Sequence, residues 1–368
     1  MLDISLEMRP LMVLIGANGV GKTSLLDAFS LLSATASGNM NGALSDLGGI
    51  AHLLTRGMCD SLSMAVELED PAFPPLKYEI VLSPTGMGYS ISKEILSQHF
   101  PDHPGPLKHI DSTGTNICYY NPEANKSLPP DWEHNPLESS LSQVPKAYRQ
   151  VEDLRRILAT ATQYHVLDVD SRAPVKLPQQ MKPAKAPGPN GETLFPFLYH
   201  LRDLERDRFD VIVDSLRAAF PGLEEVTLPP AAAGMLALAW KEKGFEQPFY
   251  MHELSEGTLR FLWLASLLQG PNLSTVTTID EPEVSMHPEM LSLLADLMRG
   301  ASRRTQLVVA THSDRLIRFL DPREVVVMDL DENGLATAAW ADELDMEHWL
   351  ADYSLDELWR MGQLGGRA

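Results

Sequence analysis

Leu11-Met12-Val13-Leu14-Ile15 runs directly into Gly16-Ala17-Asn18-Gly19-Val20-Gly21-Lys22-Thr23, and then into a segment with apolar residues at Leu25, Leu26, Phe29 and Leu32. Five apolar residues without polar alternation predict a strand buried on both faces. The spacing after Thr23 predicts a helix over 23–32. The residues between them satisfy G-x-x-x-x-G-K-[ST] in the strand–loop–helix setting that this pattern requires. Its glycines let successive backbone N–H groups turn toward a polyphosphate at the positive end of the helix. Asn18, Gly19 and Gly21 are expected to line that cradle. Lys22 is expected to reach the β- and γ-phosphates, and Thr23 to place its hydroxyl on Mg²⁺. The ligands implied are ATP and Mg²⁺.

Three further stretches gain meaning beside this loop. The β-branched run Thr275–Ile279 ends in Asp280-Glu281-Pro282. Alone, such a pair is a solvated strand end. Beside a P-loop it reads as Walker B, with Asp280 holding Mg²⁺ through water and Glu281 polarising the attacking water. Leu254-Ser255-Glu256-Gly257-Thr258 opens a helix. In isolation Ser255 is an N-cap, but its hydroxyl and the amides through Gly257 also form an anion site at a helix start. Finally, Gln306–Ala310 reads as the next strand, followed by Thr311-His312. A polar residue at the C-terminal end of a parallel strand lies on the ligand edge of such a sheet, so His312 is placed as a γ-phosphate sensor.

The rest of the chain sorts by periodicity. Leu62–Leu68, Tyr78–Leu82 and Tyr89–Ile95 alternate as antiparallel strands, with turns at Pro71–Pro75 and Pro84–Gly88. Residues 101–137 are rich in Pro, Asn, His and Asp and read as a surface excursion with one strand at Asn116–Tyr120. Val151–Thr162 has helical spacing. Residues 173–191 carry five prolines without apolar periodicity and read as a linker. Helices are expected over 193–202 and 207–219, then strands around Val226–Leu228 and Met235–Trp240. The last third alternates helix and strand: 257–268, 275–279, 288–299, 306–310, 313–319 and 324–328. That alternation indicates a parallel sheet with crossover helices. The predicted architecture is therefore α/β: a mostly parallel P-loop sheet, an antiparallel β subdomain and a helical insertion. The expected division is 1–100 as an N-terminal ATPase lobe, 101–220 as a loop-rich and helical insertion, and 221–368 as a C-terminal ATPase lobe.

The chain has 368 residues, 44% of them hydrophobic and 22% charged, which is a globular composition with a sizeable core. The apolar stretch Leu259–Leu268 contains Arg260 and is too short to cross a bilayer. Two cysteines, Cys59 and Cys118, give no disulfide framework and fit a cytoplasmic protein. Thirty basic residues face 50 acidic ones, a net charge of −20 that repels nucleic-acid backbones. The imbalance is uneven. Residues 321–368 hold twelve acids against three arginines, whereas residues 145–217 hold twelve basic and ten acidic residues. Any DNA contact would have to arise from a local patch in that second stretch.

The four motifs in this order resemble the ATP-binding-cassette-like heads of the SMC, RecF and OLD-type ATPases, and most of all small bacterial RecF-like "AAA family" ATPases. The resemblance makes Leu254–Gly257 an ABC-type signature, Glu283–Pro288 a D-loop segment and His312 a switch histidine. It extends to Pro189–Leu194, Phe220-Pro221-Gly222, Tyr353–Trp359, Gly362 and Gly365-Gly366. It departs from the family in lacking a Q-loop glutamine in context, since none of Gln98, Gln143 or Gln163 has it. Between Thr23 and Ser255 the chain is too short for long coiled-coil arms. The resemblance implies an ATPase switch: Ser255 and Gly257 of one subunit complete the ATP site of another in an ATP-dependent head-to-head homodimer. The output would be control of a protein effector, such as a nuclease or toxin, in defence or genome maintenance. The alternative it implies is a DNA-binding repair ATPase of RecF kind. A transporter subunit would need a membrane partner and a Q-loop, and a small-molecule kinase would have no use for Ser255-Glu256-Gly257.

Overall fold

The computed structural model describes residues 3–55, 58–70, 73–86, 88–100, 105–121, 124–145, 149–344, 353–362 and 364. Gly365-Gly366 and the Pro71-Ala72 part of the expected turn lie outside them. Contacts group the chain into two units, one formed mainly by Ser24–Thr162 and the other by Ile4–Thr23 with the chain from Gln163 onward. The sequence reading cuts the chain at 100 and 220, whereas the contacts cut it just after the P-loop and at Thr162.

The second unit is built on a six-stranded sheet in the order Ala336–Trp340, Val325–Leu330, Leu11–Ile15, Gln306–Ala310, Val276–Asp280, Thr162–Tyr164. Leu11–Ile15 is parallel to both its neighbours, and Val276–Asp280 is parallel to Gln306–Ala310. Ala336–Trp340, which sequence periodicity had not singled out, adds an antiparallel edge. All five residues of Leu11–Ile15 are buried, as are the first four of Val276–Asp280. This burial is what their unbroken apolar or β-branched runs require. The helix Glu256–Gln269 is buried on every side from Thr258 to Leu268 apart from Arg260, and packs into one core with Leu291–Ser302, Leu194–Leu204 and Arg206–Ala219.

The stretch 173–191 is not a linker, since the chain on both sides of it lies in this same unit. Val175 and Ala184 are buried in the core, and Gln179–Gln180 pairs with Met235–Leu236. The buried amide of Gln179 donates from Nε2 to the carbonyls of Pro174 (3.1 Å) and Gly191 (2.7 Å), and its Oε1 accepts from the backbone N–H of Phe195 (2.9 Å). Side-chain bonds rather than periodic burial hold this proline-rich segment in place.

The first unit is an antiparallel sheet whose six strands follow chain order: Leu62–Asp70, Phe73–Thr85, Gly88–Gln98, Leu107–Thr113, Tyr119–Asn121 and Lys126–Leu128. Leu76, Tyr78, Ile80 and Leu82 alternate inward from its second strand. The last three strands fall within 101–137, so that stretch continues the sheet rather than leaving it as an excursion. Glu94 and His109 are among the polar side chains buried here. Glu94 accepts from Tyr78 Oη (3.0 Å) and from the backbone N–H groups of Ser140 (2.6 Å) and Leu141 (2.8 Å). Burial pushes its carboxyl up, and these donors oppose the shift. His109 Nε2 lies 3.0 Å from Gln98 Oε1, while Gln98 Nε2 donates to the carbonyl of Pro74 (2.8 Å). That second bond fixes the amide, so His109 is the donor to Oε1.

Candidate functional site

Strand register brings the motifs together. Asp280 stands opposite Ala310, and Leu14 stands opposite Ala310 on the other side. The backbone N–H of Thr311 donates to Leu14 O (3.1 Å), and that of Glu281 donates to Ala310 O (2.9 Å). Three parallel strands therefore end level with one another. The P-loop, the Asp280-Glu281 pair and His312 leave the sheet on one edge, the edge where ligands bind in such folds.

The 16-residue helix Lys22–Ser37 begins at the motif lysine. Lys22 is 5% exposed. It donates to Gly16 O (2.5 Å) and Ala17 O (3.0 Å) and lies 3.2 Å from His312 Nδ1. The other ring nitrogen, Nε2, lies 3.4 Å from Glu281 Oε1. An ammonium can only donate, so Nδ1 accepts and Nε2 carries the proton that faces the carboxylate. Burial, followed by the positive charge of Lys22, lowers the His312 pKa, which accords with a neutral ring. Burial lowers Lys22 to about 8 against the pull of Glu281 and Asp280. Glu281 is pushed up to about 8, chiefly by burial and then by Glu283 and Asp280. Side-chain contacts thus run in a chain from Lys22 through His312 to Glu281.

Glu281 has φ 47° and Ser285 has φ 63°. For residues other than glycine, each such conformation costs roughly 1–3 kcal/mol, and it recurs at functional sites. The turn they shape carries Glu283. Thr311 Oγ1 donates to Glu283 Oε1 and accepts from Ser313 N (3.0 Å). On the far side, a small cavity beside Asp280 and Glu281 is lined by His165 and Arg260, among others. Arg260 spans three segments: Nε donates to Leu167 O (3.2 Å), and one terminal nitrogen lies 2.5 Å from Ser285 Oγ and 3.5 Å from Glu256 Oε2. Glu283, Arg260 and His165 were not singled out by role in the sequence. His165 had one usable signal: it directly follows Thr162–Tyr164, the strand beside Val276–Asp280 at the sheet edge.

Ser255 and Gly257 stand apart from the Lys22–His312–Glu281 chain. Ser255 is an exposed N-cap whose Oγ accepts from Thr258 N (3.1 Å) and lies 2.7 Å from Thr258 Oγ1. Gly257 has a reason within the chain: a Cβ there would stand 2.5 Å from the carbonyl oxygen of Ser285. Asn18, Gly19 and Thr23 are exposed at the loop and helix start. Among the described residues, no group of three or more His, Cys, Asp or Glu side chains is arranged around a metal. The Thr23 hydroxyl and the Asp280 carboxylate are hard oxygen donors of the kind Mg²⁺ takes when most of its shell is water and phosphate.

Residues 11–318 match the model of the family described as "AAA domain, putative AbiEii toxin, Type IV TA system". The chain belongs to this family. Solved structures with a similar fold include a Smc head bound to the C-winged helix domain of ScpA. It covers 91% of this chain and 92% of its own at 13% identity, with a TM-score of 0.56. A Smc head with an extended coiled coil, bound to the C-terminal domain of ScpA and derived from Pyrococcus furiosus, covers 98% and 94% at 11% identity, with a TM-score of 0.50. No curated protein matches the chain. The fold is that of an SMC-head P-loop ATPase, as the motif order implied, and this AAA-domain chain is a P-loop ATPase of that general type. Among its described residues no helix is long and apolar enough to cross a membrane.

Proposed function

We propose that this protein hydrolyses ATP to ADP and phosphate as a switch, with two copies closing on ATP head to head and the cycle controlling a protein effector. The observation that carries the reading is the Lys22–His312–Glu281 chain on the strand-end edge. The amides of the Gly16–Gly21 loop and the start of the helix at Lys22 would hold the triphosphate, and Lys22 would exchange its loop carbonyls for the β/γ-phosphate oxygens. Thr23 and Asp280 would hold Mg²⁺, which when bound neutralises charge between the β- and γ-phosphates. Glu281 would take the proton of the attacking water. Burial raises its proton affinity above that of a free carboxyl. His312 would turn its ring toward the γ-phosphate as charge moves there.

The exposed cap at Ser255, on a 14-residue helix whose N-terminus favours anions, supports the dimer. In the composite site Ser255 and Gly257 of one copy meet the nucleotide of the other. The family description, a putative toxin of a toxin–antitoxin system, supports a protein effector as the output.

Light scattering of Glu281→Gln and of Glu281→Gln/Ser255→Arg, each with and without ATP, tests this reading. The single variant should bind ATP, turn over very slowly and double in mass with ATP. The double variant should bind ATP and stay monomeric. A single variant that remains monomeric with saturating ATP would overturn the composite site and leave Ser255 as a helix cap.

A further inference from the structure

The chain from Leu167 to Gly188 is bonded at intervals to the helix Glu256–Gln269 and to the residues flanking it. Arg260 Nε donates to Leu167 O (3.2 Å), and Trp263 Nε1 donates to Gly188 O (2.9 Å). Past the helix, Asn272 Nδ2 donates to Lys185 O (3.2 Å). At the N-terminal end the direction reverses: the Lys176 ammonium donates to Leu254 O (2.6 Å). Leu254 immediately precedes the cap Ser255. The helix ladder begins one residue later, where Leu259 N donates to Ser255 O (3.1 Å). The Leu254 carbonyl therefore lies outside the ladder, and the lysine sets its direction. Because the peptide unit is planar, holding Leu254 O also holds Ser255 N. The Ser255 hydroxyl is oriented from within the helix by Thr258, whereas the plane that leads into Ser255 is oriented from outside it.

We propose that Lys176 is a positioning residue for the composite ATP site: it fixes the Leu254–Ser255 peptide and so the angle at which Ser255 and Gly257 meet the nucleotide of a second copy. The inference rests on the head-to-head reading given above. Lys176 suits this task because its own backbone is fastened. Its neighbour Val175 is fully buried, its N–H donates to Ala173 O (2.9 Å), and Gln179 Nε2 holds Pro174 O (3.1 Å). A charge-assisted bond from a fixed base is directional and stronger than a neutral one. The ammonium touches no nucleotide in this scheme. It acts on the edge offered to the other copy and leaves the Gly16–Thr23 loop alone, so it governs pairing rather than ATP binding by a single copy.

The experiment uses the full chain with Lys176→Met, which keeps the length of the side chain and removes the donor, and Lys176→Arg, which restores one. Each is made in the wild-type background and in Glu281→Gln. Light scattering gives the protein concentration at half-maximal pairing with saturating ATP, calorimetry on dilute protein gives the Kd for ATP, and hydrogen exchange is followed over residues 251–258. In the Glu281→Gln background, Lys176→Met should raise the half-pairing concentration roughly 10-fold, the usual scale for losing a group that orients a contacting one. The Kd for ATP should stay within about twofold, because no binding contact is lost. Exchange over 251–258 without ATP should quicken, and Lys176→Arg should restore both pairing and protection. Unchanged pairing in Lys176→Met would overturn the proposal, even if exchange quickens, since the lysine would then stabilise the turn alone. So would a loss that arginine fails to rescue, or an equal loss of ATP affinity. If Lys176→Met does not fold, the uncharged and shorter Lys176→Gln takes its place with the same expected direction. If Glu281→Gln alone stays monomeric with saturating ATP, the composite-site reading fails and takes the inference with it. If Glu281→Gln pairs and Glu281→Gln/Lys176→Met pairs equally well, only the positioning role falls.

Discussion

Replacing Gly257 with alanine sets two well-characterised effects against each other. Gly257 lies in the first turn of the helix Glu256–Gln269, and glycine to alanine within a helix ordinarily gains up to about 1 kcal/mol. Here the new Cβ would stand 2.5 Å from the carbonyl oxygen of Ser285. An ordinary carbon–oxygen contact is about 3.3 Å or more, so that oxygen must retreat by about 0.8 Å. Backbone is on the receiving side, and Ser285 is already at φ 63°. Forcing such a shift costs on the order of 1–3 kcal/mol, which outweighs the helix gain. Gly257→Ala should therefore destabilise the protein by about 1 kcal/mol, as read by urea unfolding at neutral pH. The displaced Ser285 also carries the hydroxyl beside Arg260 and lies in the turn that bears Glu283, so kcat should fall as well. An alanine variant more stable than wild type, with unchanged kcat, would refute the argument.

Other perturbations probe the same edge and the first unit. Lys22→Ala removes the charge expected to meet the β/γ-phosphates, and calorimetry should detect no ATP binding; near-wild-type affinity would undo the P-loop assignment. His312→Ala should lower kcat more than ATP affinity, because Lys22 and the loop amides expected to hold the phosphates are untouched. If turnover per folded molecule is unchanged, the histidine serves packing only. For His109, burial lowers the folded pKa from 6.5 to about 4. The unfolded chain therefore takes up the proton first. This stability is fully present above pH 6.5 and is lost as pH falls toward 4, by about 3 kcal/mol in all. Glu94, whose folded pKa is raised, acts in the opposite sense, so the comparison must be with His109→Gln in the same background. That variant should show a flatter acid limb in urea unfolding between pH 6.5 and 4, and parallel curves would contradict the assignment.

The parts of this molecule legible in sequence are those whose chemistry is contiguous. The P-loop, Asp280-Glu281 and Thr311-His312 each follow a strand directly, so a run of buried residues announces the position of the polar group after it. The register that levels Leu14, Ala310 and Asp280 then makes neighbours of groups hundreds of residues apart. Glu283 was visible only as part of a D-loop resemblance, because its meaning comes from Thr311, 28 residues away. Arg260 sat in an apolar run and was read as a defect in a membrane span, although its head group reaches Leu167 and Ser285. The strands at Leu107–Thr113, Tyr119–Asn121 and Lys126–Leu128 were largely hidden for a different reason. They are short and carry His109, Asp111 and Asn121, so alternation is too weak to register. Residues 173–191 misled because prolines without periodicity normally signal a solvated tether.

That last segment behaves like a tent flap with one main peg and several smaller ones, among them Ala184 in the core and the Gly188 carbonyl that accepts from Trp263 Nε1. The amide of Gln179 reaches Pro174, Gly191 and Phe195, gathering both margins of the flap and the helix beyond it at one point. Because the peg needs two donors facing carbonyls and one acceptor facing an N–H, neither glutamate nor methionine can replace it. At the far margin Gly191 sits at φ 68°, where a Cβ would strike Val175. Between these fixed points, Lys182 and Lys185 are exposed, and nothing in the fold depends on their identity. Over evolutionary time such an arrangement leaves those two exposed positions free to change in charge while the peg and eyelet stay put. Position 182 should then vary freely in relatives of this chain, three residues after the one that tolerates least.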